Sequence, residues 1–435
     1  MKRKNGIRAI LVFTLLLVSL CFLTSPAGAF DWMKYKGTTI RVMVSKAPMA
    51  DMYRKHLPEF EKMTGIKVIY EVYPEDQRRK KIAVEFASGA SDVDAFNEAI
   101  HMERIKFADA GWSSDMGPFL QNKEITAPEF EWDDFTEGAV KSVTYKGKQW
   151  MMPVAIDGTI LFYRKDLFKE KGIAQPKSLA DMEKIAKAFT DKPNFYGFVA
   201  RGKRHANVTQ FDPYYFNFDG NYMKADGTSN LTAPQFKEAI EWYAMMLRQY
   251  GPPGVANWHW YECLDLFMQD KVAMYSDGAG FASQFEDPKK SKIAGKVGYM
   301  LIPPGPRGAQ RPSLYGNGWT VFTGSKKKEA AWYFVQWAAG KKMLARLLHS
   351  GAAVTGRKSA WDSLDLSKAG MPPDWYETAK AYLKIGEPGL PQVNNVGESR
   401  DIVGDAIVAG ILGKNVDKAI KKADYLLNKS IEKSK

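Results

Sequence analysis

The sequence predicts an α/β protein in which helices cover a mostly parallel sheet and the chain forms two domains. After residue 30, β-branched runs alternate with helical segments: TTIRVMV at 38–44, a helix at 52–63 and IKVIYEVY at 66–73. A βαβαβ order of this kind is typical of parallel sheets covered by helices. About 400 residues are enough for two cores, given a hydrophobic content of 45%.

The same alternation continues through the first third of the chain. Gly65 ends the first helix, a second helix is predicted at 78–87, and DVDAF at 92–96 predicts a third strand. In sheets of this class the ligand lies beyond the carboxyl ends of the strands. Polar residues that follow these strands are therefore candidates for a binding site.

The middle of the chain carries clear helix boundaries. Ser178 and Asp181 form a capping pattern for a helix that reaches Phe189, and a second helix follows Thr232 and ends at Gly251. Further strands are predicted at 271–276 and 296–302, and further helices at 325–340 and over the last 30 residues.

The N-terminus has the pattern of a secretory signal peptide. A basic start precedes the apolar run 10–23, and Ala27, Gly28 and Ala29 give an A-x-A cleavage pattern. We expect cleavage after Ala29 and export to the periplasm. Lipid attachment at Cys21 is the less favoured alternative, because apolar residues continue directly after it.

The cysteine content argues against a disulfide-stabilised protein, and the charge pattern argues against a nucleic-acid-binding protein. Cleavage leaves Cys263 as the single cysteine, so no internal disulfide can form. The formal net charge is +13, and removal of the four basic residues of the signal peptide leaves about +9. Because lysines and arginines are interleaved with acids, we expect a solvated surface and no nucleic-acid partner.

The chain lacks the short motifs of common enzyme classes. It has no G-x-x-x-x-G-K-[ST], no H-E-x-x-H, no C-x-x-C and no G-x-S-x-G motif, and its five histidines have no metal-ligand spacing. We therefore expect a protein without cofactor, metal or catalytic residues.

One glycine-rich turn needs a decision between two interpretations. The strand at 271–276 runs into Asp277, Gly278, Ala279 and Gly280, which is close to a dinucleotide-binding G-x-G-x-x-G, but Ser283 stands at the third glycine position. The strand also comes late in the chain, and no acid follows at the expected distance. We interpret the glycines as a tight turn that leaves Asp277 at the strand end, facing a cleft.

Aromatic residues interleaved with polar ones occur at three places with loop-like sequence. They are FDPYYFNFDGNY at 211–222, NWHWYE at 257–262 and YGNGW at 315–319. Flat rings beside carboxylates and amides suit a sugar, since its C–H faces stack on rings and its hydroxyls form hydrogen bonds. Plain core packing is the competing explanation for each single ring.

Several segments together resemble the extracellular solute-binding proteins of ABC importers, the sugar-binding family that includes maltose-binding protein. The segment YKGKQWMMPVAIDGTILFYRKDLFKEKGIAQPKSLADMEKIA at 145–186 resembles that family's central signature. FMQDKVAMYSDGAGF, YGNGWTVFTGSKKKEAAWYFVQWAAG and ESRDIVGDAIVAGILGKNVDKAIKKA resemble its later strand, its return crossover and its C-terminal helices. The order and spacing of the segments carry the resemblance over nearly all of the mature chain.

The resemblance implies a two-lobed periplasmic-binding-protein fold, each lobe a helix-flanked, mainly parallel sheet. Hinge crossovers are expected near 153–157, 313–318 and 356–361. The lobes would be 30–154 with 318–358, and 155–317 with 359–435. The protein would bind a carbohydrate (sugar, oligosaccharide or polyol) by hinge closure and deliver it, as a monomer, to the transmembrane subunits of an ABC permease.

The resemblance also places candidate ligand contacts by position. Tyr214, Tyr215 and Phe216 would form a stacking wall with two tryptophans, and the other candidates lie at strand ends or crossovers. The full set is Ser45, Lys46, Asn97, Glu98, Asp157, Tyr214, Tyr215, Phe216, Trp258, Trp260, Asp277, Gly278, Asn317, Trp319 and Arg357.

Two other functions remain open on sequence grounds. A secreted glycoside hydrolase would use two carboxylates across the cleft, such as Asp157 and Asp277. The net positive charge of the chain is also compatible with a receptor of the same fold that binds a charged solute.

Overall fold

The computed structural model of the protein describes residues 30–89 and 91–433. The predicted cleavage after Ala29 and the alternative at Cys21 lie outside the described residues. Within them, no helix combines the length and the apolar character needed to span a bilayer.

Residues 30–89 and 91–433 form eleven strands and seventeen α-helices. The strands are β1 (Thr39–Ser45), β2 (Lys67–Tyr73), β3 (Ala95–Ala99), β4 (Thr144–Tyr145), β5 (Lys148–Gln149), β6 (Met152–Arg164), β7 (Tyr196–Val199), β8 (Val272–Gly278), β9 (Val297–Met300), β10 (Ser313–Val321) and β11 (Glu387–Pro388). The helices are α1 (Pro48–Thr64), α2 (Glu75–Ala87), α3 (Arg104–Asp109), α4 (Gly117–Gln121), α5 (Glu137–Val143), α6 (Lys165–Glu170), α7 (Leu179–Phe189), α8 (Ala206–Asn217), α9 (Pro234–Tyr250), α10 (Trp260–Met268), α11 (Ala282–Phe285), α12 (Lys328–Ala338), α13 (Lys341–His349), α14 (Lys358–Asp362), α15 (Pro373–Ile385), α16 (Val396–Ile411) and α17 (Val416–Lys433).

Local sequence explains where several of these helices begin. The Ser178 side chain accepts a hydrogen bond from the Asp181 backbone N–H at 3.1 Å, which caps α7 as predicted. Helix α9 starts at Pro234, where a missing N–H has no cost, and stops before Gly251. Helix α1 begins at Pro48, four residues before the predicted start, for the same reason.

Nine strands form one sheet in the order β2-β1-β3-β10-β6-β8-β7, with β11 beside β10 and β9 beside β6. The pairs β1/β2, β1/β3, β7/β8 and β10/β11 are parallel, and the pairs β3/β10, β10/β6, β6/β8 and β6/β9 are antiparallel. The sheet is thus mixed, where mainly parallel sheets were expected. The difference arises because β6 and β10 run antiparallel to each other and to their other long neighbours.

Two large hydrophobic cores lie along this sheet, giving a two-lobed α/β fold. The first core packs β1, α1, α12 and α13 together, and the second packs β8 with α7, α8, α9, α10, α15, α16 and α17. Strand β6 contributes Ile156 to the first core and Ile160 to the second. In β10, Trp319 lies in the first core and Leu314 packs against the second. The long strands β6 and β10 therefore cross from one core to the other.

Candidate functional site

A polar pocket lies where β6 and β10 cross between the two cores. It contains about 850 Å³ of empty space, including its opening to solvent. The side of the first core provides residues from β1, α2 and β3, and the side of the second provides residues from α8, α10, α16 and the ends of β7 and β8. The lining residues are Ser45, Lys46, Ala47, Pro48, Met49, Glu75, Ala99, His101, Ala155, Asp157, Arg201, Thr209, Gln210, Trp260, Gly280, Phe281, Tyr315, Asn317, Ala352, Ala353 and Arg400.

Asp157 occupies the crossing point of β6 itself. Its carboxylate accepts backbone N–H groups of Gly158 at 2.9 Å and of Gly280 at 3.3 Å. Burial raises the pKa of Asp157 to about 7, and the nearby charge of Asp277 adds to the shift. Asp157 is therefore a hydrogen-bonding group poised to accept from a ligand hydroxyl.

Arg201, two residues after β7, is held in the opposite wall by Asp277. The Arg201 Nε donates to Asp277 Oδ2 at 2.8 Å, and the Gln210 side-chain amide donates to Oδ1 at 2.9 Å. The Tyr275 hydroxyl adds a third side-chain donor at 2.6 Å. Asp277 thus lies behind the pocket wall and orients Arg201 and Gln210, which line the pocket.

The wall on the first-core side rests on a buried ion pair. Arg78 Nη2 donates to Glu103 at 2.6 Å, and Arg78 Nε donates to Ser45 Oγ at 2.7 Å. The Glu103 carboxylate also accepts the backbone N–H of Ala99 at 2.8 Å. This arrangement ties the ends of β1 and β3 together and leaves Ser45 with its own hydroxyl proton as a donor.

Glu75 brings a negative charge to the same side of the pocket, at the start of α2. Burial alone would raise the pKa of Glu75, but Arg79 and Arg400 hold it well below its ordinary range. Arg79 pairs with Glu75 one helical turn away and reaches Glu103 at 3.2 Å. Glu75 is therefore an ionised carboxylate with a fixed position.

The pocket histidine is neutral. Burial lowers the pKa of His101 to about 3, and its Nδ1 accepts the Gly316 N–H at 3.4 Å. The other ring nitrogen is then the donor. His101 can therefore donate a hydrogen bond without contributing charge.

Trp260 and Phe281 give the pocket an aromatic surface on the side of the second core. Trp260 is held at the start of α10, where His259 and Glu262 form a capping box, and its ring lies 4.9 Å from that of Phe281 between centroids. These two rings offer a short flat face to a ligand in a lining that mixes polar and apolar residues.

The two walls touch at the mouth of the pocket. Arg79 Nη1 lies 3.5 Å from His205 Nε2, and Lys46 Nζ lies 5.5 Å from the centroid of the Tyr261 ring. The structure therefore has the two sides of the cleft closed onto each other.

Five of the residues predicted from sequence line this pocket: Ser45, Lys46, Asp157, Trp260 and Asn317. Ser45 and Lys46 lie at the end of β1, and Asp157 and Asn317 lie on the crossing strands, as the argument from sheet topology requires. Trp260 instead begins α10.

Asn97 and Glu98 are not brought to the pocket, because β3 continues through them to Ala99. The Asn97 amide donates to the Gly318 carbonyl at 3.2 Å, and Glu98 accepts the Ser113 hydroxyl at 2.8 Å. Burial raises the pKa of Glu98 to about 8. Both side chains lie within the sheet rather than in the cleft.

The proposed aromatic stacking wall is also placed elsewhere. Tyr214, Tyr215 and Phe216 lie in α8 and pack in the second core, while Trp258 is half-buried against that core and does not line the pocket. Helix formation explains the difference, since α8 buries every one of its residues. Trp319 is fully buried in the first core, 5.0 Å from Phe334 between ring centroids.

Three further predicted contacts have structural partners outside the cleft. Asp277 binds Arg201, as described above. Gly278 lies behind the wall, where an added Cβ would come within 2.3 Å of the Tyr315 hydroxyl and 2.9 Å of the Asp157 carboxylate. Arg357 is fully buried and pairs with Asp134 at 2.9 Å.

Several pocket residues were not predicted from sequence. Arg201 follows a strand, so its position carried a signal, whereas Thr209, Gln210 and Arg400 lie inside helices with no local sign of a site. Among residues 30–89 and 91–433, no cluster of His, Cys, Asp and Glu could hold a metal ion.

Known proteins resemble this chain in sequence and in fold. Residues 45–345 match the model of a family described as bacterial extracellular solute-binding protein. The chain is 29% identical to the erythritol/L-threitol-binding protein of Mycolicibacterium smegmatis over 353 residues, covering 77% of this chain and 74% of that protein.

Two solved structures extend the likeness to three dimensions. A solute-binding protein of an ABC transporter from Agrobacterium radiobacter K84, in complex with ribitol, superposes with a TM-score of 0.81 at 26% identity, covering 91% of this chain and 99% of that one. A solute-binding protein from Agrobacterium vitis S4, with bound D-mannitol, has the same fold, with a TM-score of 0.79 at 24% identity and coverage of 91% and 99%.

Proposed function

The chain belongs to the bacterial extracellular solute-binding protein family, and from this premise we propose that it is the exported receptor of an ABC importer. It binds a small polyhydroxylated solute, a short polyol or a monosaccharide, between its lobes. It then delivers that solute, as a monomer, to the transmembrane permease subunits.

The observation that carries this proposal is the convergence of donors and acceptors in one closed pocket. Asp157 and Glu75 accept hydrogen bonds, Arg201, Ser45 and His101 donate them, and all line the same space. A polyol presents a hydroxyl on every carbon, so each of these groups finds a partner. The erythritol/L-threitol-binding relative and the ribitol complex support this ligand class.

The shape of the pocket favours a short ligand over an oligosaccharide. Trp260 and Phe281 provide a single short ring face, and Lys46 and Tyr261 approach each other at the mouth. A long sugar chain would need a groove open at its ends and further stacking surfaces. The remaining predicted contact, Asn317, would fix one more hydroxyl on the floor of the pocket.

Hinge closure is the proposed mechanism. The lobes would comprise 30–154 with 318–358, and 155–317 with 359–435, linked by β6, β10 and the segment near 356–361. The ligand contacts both walls only when they are closed, so binding shifts the population toward the closed form. Asp157, at the crossing point, would accept a hydrogen bond from the ligand where the lobes meet.

Turnover is not part of the proposed function. Of the two carboxylates that a glycoside hydrolase would place across the cleft, Asp277 is fully buried and engaged by Arg201, Gln210 and Tyr275. It has no access to a glycosidic bond. Incubation with labelled oligosaccharides should give no new reducing ends, and their appearance would restore the hydrolase alternative.

A thermal-shift screen followed by titration calorimetry tests the proposal. We expect erythritol, L-threitol, ribitol, D-mannitol or a monosaccharide to raise Tm, whereas maltotriose should not. At 100-fold excess over Kd, binding adds about 2.7 kcal/mol. With an unfolding entropy of roughly 0.8 kcal/mol/K for about 400 folded residues, Tm rises by about 3 °C.

A matched pair of variants locates the site. Gln210→Ala removes a pocket amide and should weaken binding of the best ligand at least tenfold, while Gln121→Ala, on the exposed end of α4, should leave affinity unchanged. Binding of maltotriose alone, or equal affinities in the two variants, would overturn the proposal.

A further inference from the structure

Arg400 differs from the other arginines around the pocket in having no ionic partner. It lies on α16, is 3% exposed and lines the pocket. Its Nη2 donates to Thr209 Oγ1 at 2.8 Å, but its Nε and Nη1 are buried without a hydrogen-bond partner. No carboxylate among the described residues lies within ion-pairing distance of it.

Each neighbouring arginine, in contrast, is compensated. Arg201 is paired with Asp277, Arg78 with Glu103, and Arg79 with Glu75. Counted against Glu75, Glu103 and Asp277, these four arginines leave one positive charge over. Burial lowers the pKa of Arg400 to about 10, and Arg79 and Arg201 add to the shift, while the more distant charges of Glu75 and Asp212 oppose it. The guanidinium remains charged at neutral pH.

A buried cation without a partner is costly, so the bound state is expected to supply one. The free Nη1 carries two N–H groups and the free Nε carries one on the opposite edge of the guanidinium, and a carboxylate oxygen is a strong acceptor for such charged donors. One negative charge balances the single excess positive charge. The ionised Glu75 on the same pocket disfavours a dianion such as a phosphate ester.

The opposite end of the pocket suits hydroxyl groups instead. Asp157 receives only backbone N–H groups from the described residues, so its carboxyl oxygens have capacity left to accept a ligand hydroxyl. A ligand with a charged end at Arg400 and hydroxyls toward Asp157 would satisfy both walls.

We infer that the ligand is a polyhydroxylated monocarboxylate, a short-chain aldonic acid whose carboxylate binds Arg400. This inference rests on the proposed function, because it assigns the class of solute that the receptor captures.

Titration calorimetry with matched ligand pairs at neutral pH tests the inference. Each pair has the same carbon chain and differs only at one end: erythritol and D-erythronate, ribitol and D-ribonate, and D-mannitol and D-mannonate. In the pair that binds most tightly, the acid should bind at least tenfold more tightly than the polyol. Ribitol 5-phosphate is the dianionic comparison and should bind more weakly than D-ribonate.

Arg400→Gln should remove the preference for the acid, so that the acid and the polyol of a pair bind to the variant with affinities within threefold of each other. Arg54→Gln, at an exposed position of α1, should leave both affinities unchanged. Because Arg400 has no ionic partner, Arg400→Gln should not lower the Tm of the unliganded protein, as loss of a structural ion pair would. If that variant fails to fold, the ratio of acid affinity to polyol affinity, measured for each pair with the unsubstituted protein, still tests the inference.

The outcomes separate the two proposals. If the polyol of a pair binds with an affinity equal to or higher than that of the acid, the aldonate assignment is wrong but the proposed function stands. Tighter binding of the phosphate ester overturns the monocarboxylate assignment. Absence of binding by polyols, monosaccharides and acids overturns the proposed function, and the inference with it.

Discussion

Replacing Asp277 by Asn tests the view that this residue orients the pocket wall. Asp277 is fully buried and accepts Arg201 Nε at 2.8 Å, the Gln210 amide at 2.9 Å and the Tyr275 hydroxyl at 2.6 Å. Asparagine keeps the size of the side chain but removes its charge and turns an NH₂ group toward other donors. Arg201 is then left as a buried charge without a partner.

The size of the effect follows from that unpaired charge. Removing one partner of a buried ion pair costs about 3–5 kcal/mol. With an unfolding entropy of roughly 0.8 kcal/mol/K for about 400 folded residues, Tm should fall by about 4–6 °C. Because Arg201 and Gln210 lose their common anchor, affinity for the best ligand should fall at least tenfold, or about 1.4 kcal/mol.

Calorimetric melting and ligand titration measure both effects. Asp133→Asn, at an exposed position, is the matched control and should change neither Tm nor affinity. The double variant Arg201→Met with Asp277→Asn removes both charges and should regain part of the lost Tm. A fall in Tm of less than 1 °C for Asp277→Asn, or a double variant that loses the sum of the single effects, would refute the reasoning.

Three further variants separate stability from binding. Burial raises the pKa of Asp157 from its ordinary 3.8 to about 7, so its ionisation increasingly opposes folding as pH rises through that window. Asp157→Asn should therefore raise the Tm of the unliganded protein more at pH 8 than at pH 5, and an equal effect at both would contradict this. Trp319→Ala should cost about 3–5 kcal/mol of stability, because Trp319 is buried in the first core. It should change the ligand affinity of the folded protein by less than threefold. Calorimetric melting and ligand titration of the variant measure the two effects. Trp260→Ala should weaken ribitol binding at least fivefold, whereas Trp258→Ala, outside the pocket, should change it less than twofold.

Local patterns predicted most of the secondary structure correctly. The capping residue Ser178 and the stop at Gly251 placed α7 and α9 to within a few residues, because caps and glycines act on their own helices. The pattern did not predict the mixed sheet. Strand pairing depends on which way β6 and β10 run relative to distant strands, and no local spacing contains that information.

Strand ends and crossing strands gave part of the candidate site, but they did not reveal Arg201, which follows β7. Asp157 and Asn317 lie on the crossing strands and line the pocket as expected. Asp277 also ends a strand, yet its side chain is taken by Arg201 and faces the inside of the lobe. The predicted cleft acceptor is thus a support for the arginine that faces the cleft.

The sequence by itself determined the α/β class, the helix boundaries, the absence of familiar enzyme motifs and the likeness to solute-binding proteins. Only the tertiary structure decided which polar groups share one space. It joins Ser45 near the start of the described chain to Arg400 near its end, and among the described residues it gives Arg201 an ion pair but leaves Nε and Nη1 of Arg400 without a hydrogen-bond partner. The physical reason is that hydrophobic period and caps act over a few residues, whereas charge compensation depends on neighbours that the fold brings together from distant parts of the chain.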